Sequence, residues 1–231
     1  MAAALALSAS GCGVDDIAAA LLVPISDENA LGADFADQVE AEQNLHPDPQ
    51  VQQWIQDLGQ SVLRGVEDVP EGITFTFQVI DDDETVNAFA LPGGYIYFYT
   101  GLLLMADTEA EVAGVMGHEI AHVTQRHIAK RLVADFGYQT VVGMALGQEP
   151  GVFGSLVSNL LEAGGLITYG RGHESEADDV GIEYVIAAGY NPNGFVTFFE
   201  KLDAMQGGIN LPEWLSTHPL PSSRIENARE I

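Results

Sequence analysis

The chain has 231 residues, enough for one domain with its own core, and hydrophobic residues make up 47% of it, which excludes wholesale disorder. Against 34 acidic residues stand only 8 basic ones, a formal net charge of -26, so nucleic acid and anionic membrane surfaces are excluded as direct electrostatic partners. A single cysteine, Cys12, excludes an intrachain disulfide and a multi-cysteine metal site.

Residues 2–10 are small and apolar and lead into Gly11-Cys12. Ala9-Ser10-Gly11-Cys12 resembles the lipobox of a bacterial lipoprotein signal, which makes Cys12 a candidate lipidation residue. The pattern departs in one respect: no Lys or Arg occurs before Arg64, so the usual basic leader is missing. No Asp follows Cys12 directly, which leans toward the outer rather than the inner membrane. The expected organisation is a signal segment over 1–12, a linker over 13–27 and a single domain over 28–231. No later segment reads as a membrane span. The most apolar stretch, 140–169, is interrupted by Gln148-Glu149-Pro150, Asn159 and Glu162, where a span needs roughly 20 mostly apolar residues.

Residues 28–43 read as an exposed helix, broken by Pro47 and Pro49. Helical spacing resumes over 50–66, with Val51, Ile55, Leu58 and Val62 on one stripe. Ile73 to Ile80 is rich in β-branched and aromatic residues and reads as a strand. Asp81-Asp82-Asp83-Glu84 is a solvated acidic turn. Val86 to Ala90 and Tyr95 to Tyr99 read as two short strands around Leu91-Pro92-Gly93-Gly94. The stretch 94–99 is either an edge to which an extended chain adds by main-chain hydrogen bonds or an ordinary core strand. A short apolar helix follows, then a long one from Thr108 to Val133, with Thr108 as cap and acidic residues in its first turn. The Gly-rich, apolar 138–166 looks like a flexible or loosely helical insert over the site. Glu174 to Ala188 is a helix stopped by Gly189, and 194–206 is another. Helices around a small sheet make the class α+β.

The chemistry centres on His118-Glu119-Ile120-Ala121-His122. On a helix, His118 and His122 are i and i+4 and share a face, so two imidazoles can converge on one ion. Glu119 is displaced around the helix and can reach a water on that metal rather than the metal itself, as a general base requires. A catalytic zinc needs a third protein ligand and an open position. Arg171-Gly172-His173-Glu174-Ser175-Glu176-Ala177-Asp178 supplies Glu174, with Asp178 one turn on to accept a hydrogen bond from the outer nitrogen of a ligating histidine. Glu176 and Asp179 point elsewhere, into solvent. His173 is turned away from the metal side by helical geometry.

HExxH followed by Glu-x-x-Ala-Asp on a second helix resembles the gluzincin peptidases of the HtpX, BepA and CaaX-prenyl-protease type. Asn87 to Gly94, Gly189-Tyr190-Asn191-Pro192, and Thr217-His218-Pro219 with Arg224 resemble further motifs of that family. The resemblance covers about residues 40–228. It implies a mostly helical zincin-type domain with a small β-sheet beside the active-site helix. It implies one Zn²⁺ per chain held by His118, His122 and Glu174, Glu119 as the catalytic base, and Asp178 in support. Unlike the integral-membrane members, the chain shows no spanning helices, and it ends at Ile231 without room for a tetratricopeptide domain. It is therefore similar to a short, periplasmic, lipoprotein-like branch, attached to the membrane by a lipid anchor only and acting on unfolded or misassembled envelope proteins. His218 or Arg224 can stabilise an oxyanion, or His218 can occupy the open zinc position and hold the enzyme latent; the alternative for either is a structural Pro-flanked turn. A chaperone-like or assembly-factor lipoprotein retaining the zinc fold is the alternative function.

Overall fold

The structure is a computed structural model that describes residues 23–163, 168–205, 212–219 and 222–231. Cys12, the expected signal segment and most of the expected linker lie outside the described residues.

The first helix, α1, spans Ile25–Glu42, starting three residues before the expected boundary, directly after Pro24. It buries Leu31, Phe35 and Val39, a stripe at fourfold spacing. Helix α2 spans Pro49–Leu63. Pro49 sits in its first turn and Asp48 caps it, accepting from the Gln50 amide at 2.8 Å. Ile55, Leu58 and Val62 of the expected stripe are buried.

Three strands follow, β1 (Thr76–Ile80), β2 (Ala88–Ala90) and β3 (Tyr95–Tyr99), with a 3-10 turn over Pro92–Gly94. The order is β1-β3-β2, parallel between β1 and β3 and antiparallel between β2 and β3. The edge reading of residues 94–99 is thereby corrected: β3 is the middle strand, and the core alternative holds. The outer side of β1 is closed by α2. Gln52 accepts from the Val79 amide at 2.9 Å and donates to the Val79 carbonyl at 2.8 Å, and one turn on Gln56 accepts from the Phe77 amide at 3.0 Å. These two side chains stand in part for a neighbouring strand, and residues 44–46 add to that edge, with the His46 amide donating to the Val79 carbonyl at 2.8 Å and Leu45 bridging Ile80.

Helix α3 (Thr100–Met105) leads to α4 (Glu109–Thr124), whose cap is Thr108 and whose residues from Glu111 to Thr124 are all buried. The single long helix expected over 108–133 is two. Gln125 ends α4, Arg126 adopts a left-handed conformation at φ 57, and α5 (His127–Phe136) leaves in a new direction. No glycine or proline marks the break. Arg126 reaches back to α1, donating from Nε to Glu28 at 2.7 Å and from Nη2 to the Val23 carbonyl, and this buried contact replaces helical continuity.

Of the insert expected to be flexible or loosely helical, the described residues 138–163 form two helices, α6 (Tyr138–Ala145) and α7 (Pro150–Ala163). They pack on α1, where Phe153 stacks on Phe35 at 4.7 Å. Helix α8 (Arg171–Ala187) ends at Gly189, φ 87, as expected. Helices α9 (Asn193–Met205), α10 (Trp214–Thr217) and α11 (Ser222–Ala228) complete the chain. Helix α4 is the hub, packing against α8, α9, α2 and β2. The architecture bears out the α+β expectation. Among the described residues no helix is long and apolar enough to cross a membrane.

Candidate active site

The site forms where α4 crosses α8. His118, Glu119 and His122 project from α4 and Glu174 from the first turn of α8. The two helices meet with almost no side chain between them: a Cβ added to Gly117 would lie 2.6 Å from the Gly181 carbonyl oxygen. This close approach brings Glu174 onto the histidines. His118 Nε2 and His122 Nε2 are 3.0 Å apart, and His122 Nε2 lies 3.4 Å from Glu174 Oε1.

His218, just past α10, joins them. Its Nδ1 is 3.2 Å from His118 Nε2 and 3.1 Å from Glu174 Oε1. One donor atom from each of His118, His122, Glu174 and His218 falls within a 4.8 Å group, and all four residues are buried. Four donors around a tetrahedral zinc at about 2.0–2.2 Å are separated by roughly 3.3 Å, so this set matches what such an ion requires. Three imidazoles and a carboxylate crowded this closely also repel and compete for protons without a cation between them. The residues fit the metal.

The electrostatics follow from burial. The His118 imidazole is pushed well below its usual range by burial, and that of His122 down to about 3, so both stay neutral and able to ligate. Burial would raise Glu174, but His218, His122 and Arg224 outweigh it and hold the carboxylate ionised. The His218 imidazole is raised despite burial, by the Glu174 and Glu119 carboxylates. Glu119 is pushed up to about 7, chiefly by burial.

Around the donors sits a second layer. Asp178 Oδ1 lies 3.0 Å from His118 Nδ1. Arg224 forks onto Asp178 with two bonds of 2.6 Å, and also donates to Glu174 and, at 2.8 Å, to the Pro219 carbonyl. The guanidinium is therefore committed to the backs of the two carboxylates. His122 Nδ1 lies 3.0 Å from His127 Nδ1, and His127 Nε2 lies 3.1 Å from Glu176 Oε2. Sequence reasoning missed His127; Glu176, expected to face solvent, is half-exposed and reaches His127 from there. The same reasoning placed His173 away from the metal side, and His173 is indeed outside the donor set, stacked on His127 at 4.5 Å.

Two aromatic residues were also missed. Trp214 stacks on His218 at 4.6 Å and donates from Nε1 to Glu119 at 3.3 Å. Tyr169 stacks on His122 at 3.8 Å. Trp214 is pinned by its amide, which donates to the Val86 carbonyl beside β2. Together they roof the site: His118, Glu119, His122 and Trp214 are each 0% exposed.

Paired histidines on one helix, an adjacent buried glutamate and a glutamate from a second helix are the arrangement of the gluzincin class of metallopeptidases. Residues 49–231 match Peptidase family M48, and the chain belongs to that family. It is 34% identical over 215 residues to the β-barrel assembly-enhancing protease of Yersinia pestis, covering 89% of this chain and 44% of that protein. It is 39% identical over 193 residues to a putative β-barrel assembly-enhancing protease of Vibrio cholerae, covering 79% and 39% respectively. The mitochondrial metalloendopeptidase OMA1 of Arabidopsis thaliana is 36% identical over 154 residues, 67% of this chain and 31% of that protein. The chain thus spans less than half the length of these relatives.

Proposed function

We propose that this chain is a zinc metalloendopeptidase of the bacterial cell envelope, acting on the periplasmic side on unfolded or misassembled envelope proteins. The observation that carries the reading is Glu119, a buried carboxylate directly beside a buried donor set that fits zinc. His118, His122 and Glu174 hold the ion, with His118 oriented by Asp178. When bound, zinc supplies Lewis acidity, making a water acidic near neutral pH and polarising the scissile carbonyl. Glu119, buried beside the donor set, would take the proton of the attacking water and deliver it to the departing amine. The role in envelope protein quality control rests on the similarity to the β-barrel assembly-enhancing proteases. Lipidation at Cys12 and anchoring to the outer membrane rest on the lipobox-like segment alone.

With β3 internal and β1 covered, the strand left for an extended substrate is β2. Its neighbours Asn87 and Leu91 bond to β3, so the main-chain groups of Ala88 and Ala90 face away from it, toward the side of α4. His218 is the fourth donor of the resting site, and with Trp214 it holds the enzyme latent. Arg224 positions Asp178 and Glu174 rather than an oxyanion.

The test is casein cleavage by zinc-loaded wild type, His218→Ala, and His218→Ala combined with Glu119→Gln. The single variant is expected to cleave, and adding Glu119→Gln abolishes cleavage while zinc stays bound. Zinc-loaded wild type and His218→Ala that both leave casein intact overturn the peptidase reading in favour of the chaperone-like one.

A further inference from the structure

His122 has an outer nitrogen, and what it meets is unusual. His118 has its Nδ1 3.0 Å from a carboxylate oxygen of Asp178, though not aligned as a hydrogen bond. His122 turns its Nδ1 to another histidine, His127, and only beyond that ring does a carboxylate appear, that of Glu176. We infer that His127 is a positioning residue for the metal centre, linking His122 to Glu176 as a two-step relay that fixes the tautomer and ring plane of His122. The inference rests on the reading that His122 ligates the metal.

The backbone is arranged to produce this contact. In a continuous helix, residue 127 would stand about 140° around the axis from residue 122, since five residues advance roughly 500°. The left-handed Arg126 breaks that path, and the new helix begins at His127 itself. The break is held by Arg126 on Glu28, a residue buried in α1. His127 then folds back under His122, fully buried, with the two rings edge to face at 5.0 Å and 74°. His173 packs flat on its other side at 4.5 Å and 17°.

The proton positions follow from chemistry. His122 Nε2 faces the donor set, so a ligating His122 carries its proton on Nδ1. Nδ1–H donates to His127 Nδ1, which must then be the bare nitrogen. His127 carries its own proton on Nε2 and donates it to Glu176 Oε2. Each step permits one tautomer only, and the half-exposed Glu176 terminates the chain with its negative charge near water.

The experiment compares the full-length wild type with His127→Phe, His127→Asn and Glu176→Gln. Zn²⁺ affinity is read by chelator competition, the Co²⁺-substituted visible spectrum reports ligand geometry, and the melting temperature is taken on metal-free protein. Phe fills the buried ring site but cannot accept a proton; Asn fills it poorly but can place its side-chain oxygen near the lost Nδ1. His127→Phe should weaken zinc binding about 10- to 100-fold and alter the Co²⁺ spectrum. His127→Asn should recover most of the affinity despite a lower metal-free melting temperature, and Glu176→Gln should weaken zinc in the same direction but less. Unchanged affinity and spectrum in His127→Phe, or affinities that simply follow metal-free stability across the variants, would overturn the inference while leaving the peptidase reading intact. A wild type whose zinc is unaffected by His118→Ala and His122→Ala would overturn both.

Discussion

Gly117 and Gly181 form the contact on which the metal centre is built: a Cβ on Gly181 would lie 2.8 Å from both the carbonyl carbon of Gly117 and the amide nitrogen of His118. Real Cβ atoms do not approach backbone so closely, so any side chain here drives α8 away from α4. His118 and His122 ride on one helix and Glu174 on the other, and a shift of even 1 Å separates the donors. Gly181→Ala is expected to cost about 1–3 kcal/mol by overpacking. Its zinc affinity should fall by more than its stability accounts for, because the distortion lies between the ligands. Urea unfolding of the metal-free protein and zinc competition on the folded protein separate the two effects. Native zinc affinity in Gly181→Ala would show that the crossing is not what sets the site.

His218 is the one donor that comes from outside the two helices, at the end of the short segment carrying Trp214. Removing it opens a coordination position, and Trp214 loses the ring it stacks on while it still bonds Glu119. If the closed arrangement outweighs the open one by about 9:1, His218→Ala raises casein cleavage roughly tenfold. Trp214→Phe, which cannot donate to Glu119, should raise it in the same direction. Cleavage that falls in His218→Ala would assign the imidazole to the reaction rather than to latency, and unchanged cleavage would remove it from both roles.

How far the sequence could be read depended on the range of each interaction. His118, His122, Glu174 and Asp178 were legible because i,i+4 spacing on a helix fixes a shared face before any tertiary contact forms. The sheet's strands were legible from β-branched and aromatic content, but their order was not, since nothing local says that Gln52 and Gln56 of α2 will bond the outer edge of β1. The break at Arg126 was hidden for the same reason. Gln125 and Arg126 are good helix formers, and partners far away in sequence, Glu28 and the Val23 carbonyl among them, override them. Missing that break meant missing His127, which a continuous helix would have turned away from His122. Trp214 and Tyr169 stand just outside the sequence motifs, and only the fold turns their rings onto His218 and His122.

Arg224 is buried between Asp178 and Glu174, with its guanidinium near the Phe199 and Trp214 rings at 5.0 and 5.7 Å. Arg224→Met keeps bulk but strands two buried carboxylates, a loss of about 3–5 kcal/mol of stability. Arg224→Lys should recover little of it, because an ammonium cannot present the fork that meets Asp178 with two parallel bonds. Urea unfolding of metal-free protein measures both. Full rescue by Lys would mean that charge alone, without the fork geometry, suffices.

The far end of α4 offers a pH-dependent anchor remote from the metal. Glu111, in the helix's first turn, accepts from the Asp107 amide at 2.7 Å, from Thr197 at 3.0 Å and from Lys201 at 2.7 Å, the last two reaching over from α9. Burial alone would raise its carboxyl, but the bonds from Lys201, Asp107 and Thr197 outweigh burial and hold it below the ordinary 4.5. The folded state therefore binds fewer protons than the unfolded chain. This stabilisation is fully present above the unfolded value and is lost as pH falls through the lower, folded one. The melting temperature of wild type should exceed that of Glu111→Gln from pH 7 down to about 5, and the gap should narrow as the pH is taken further down. Thermal unfolding of the two proteins across pH 3.5–7 checks it. A gap that stays constant over this range would show that Glu111 acts through shape and hydrogen bonding alone, without its charge.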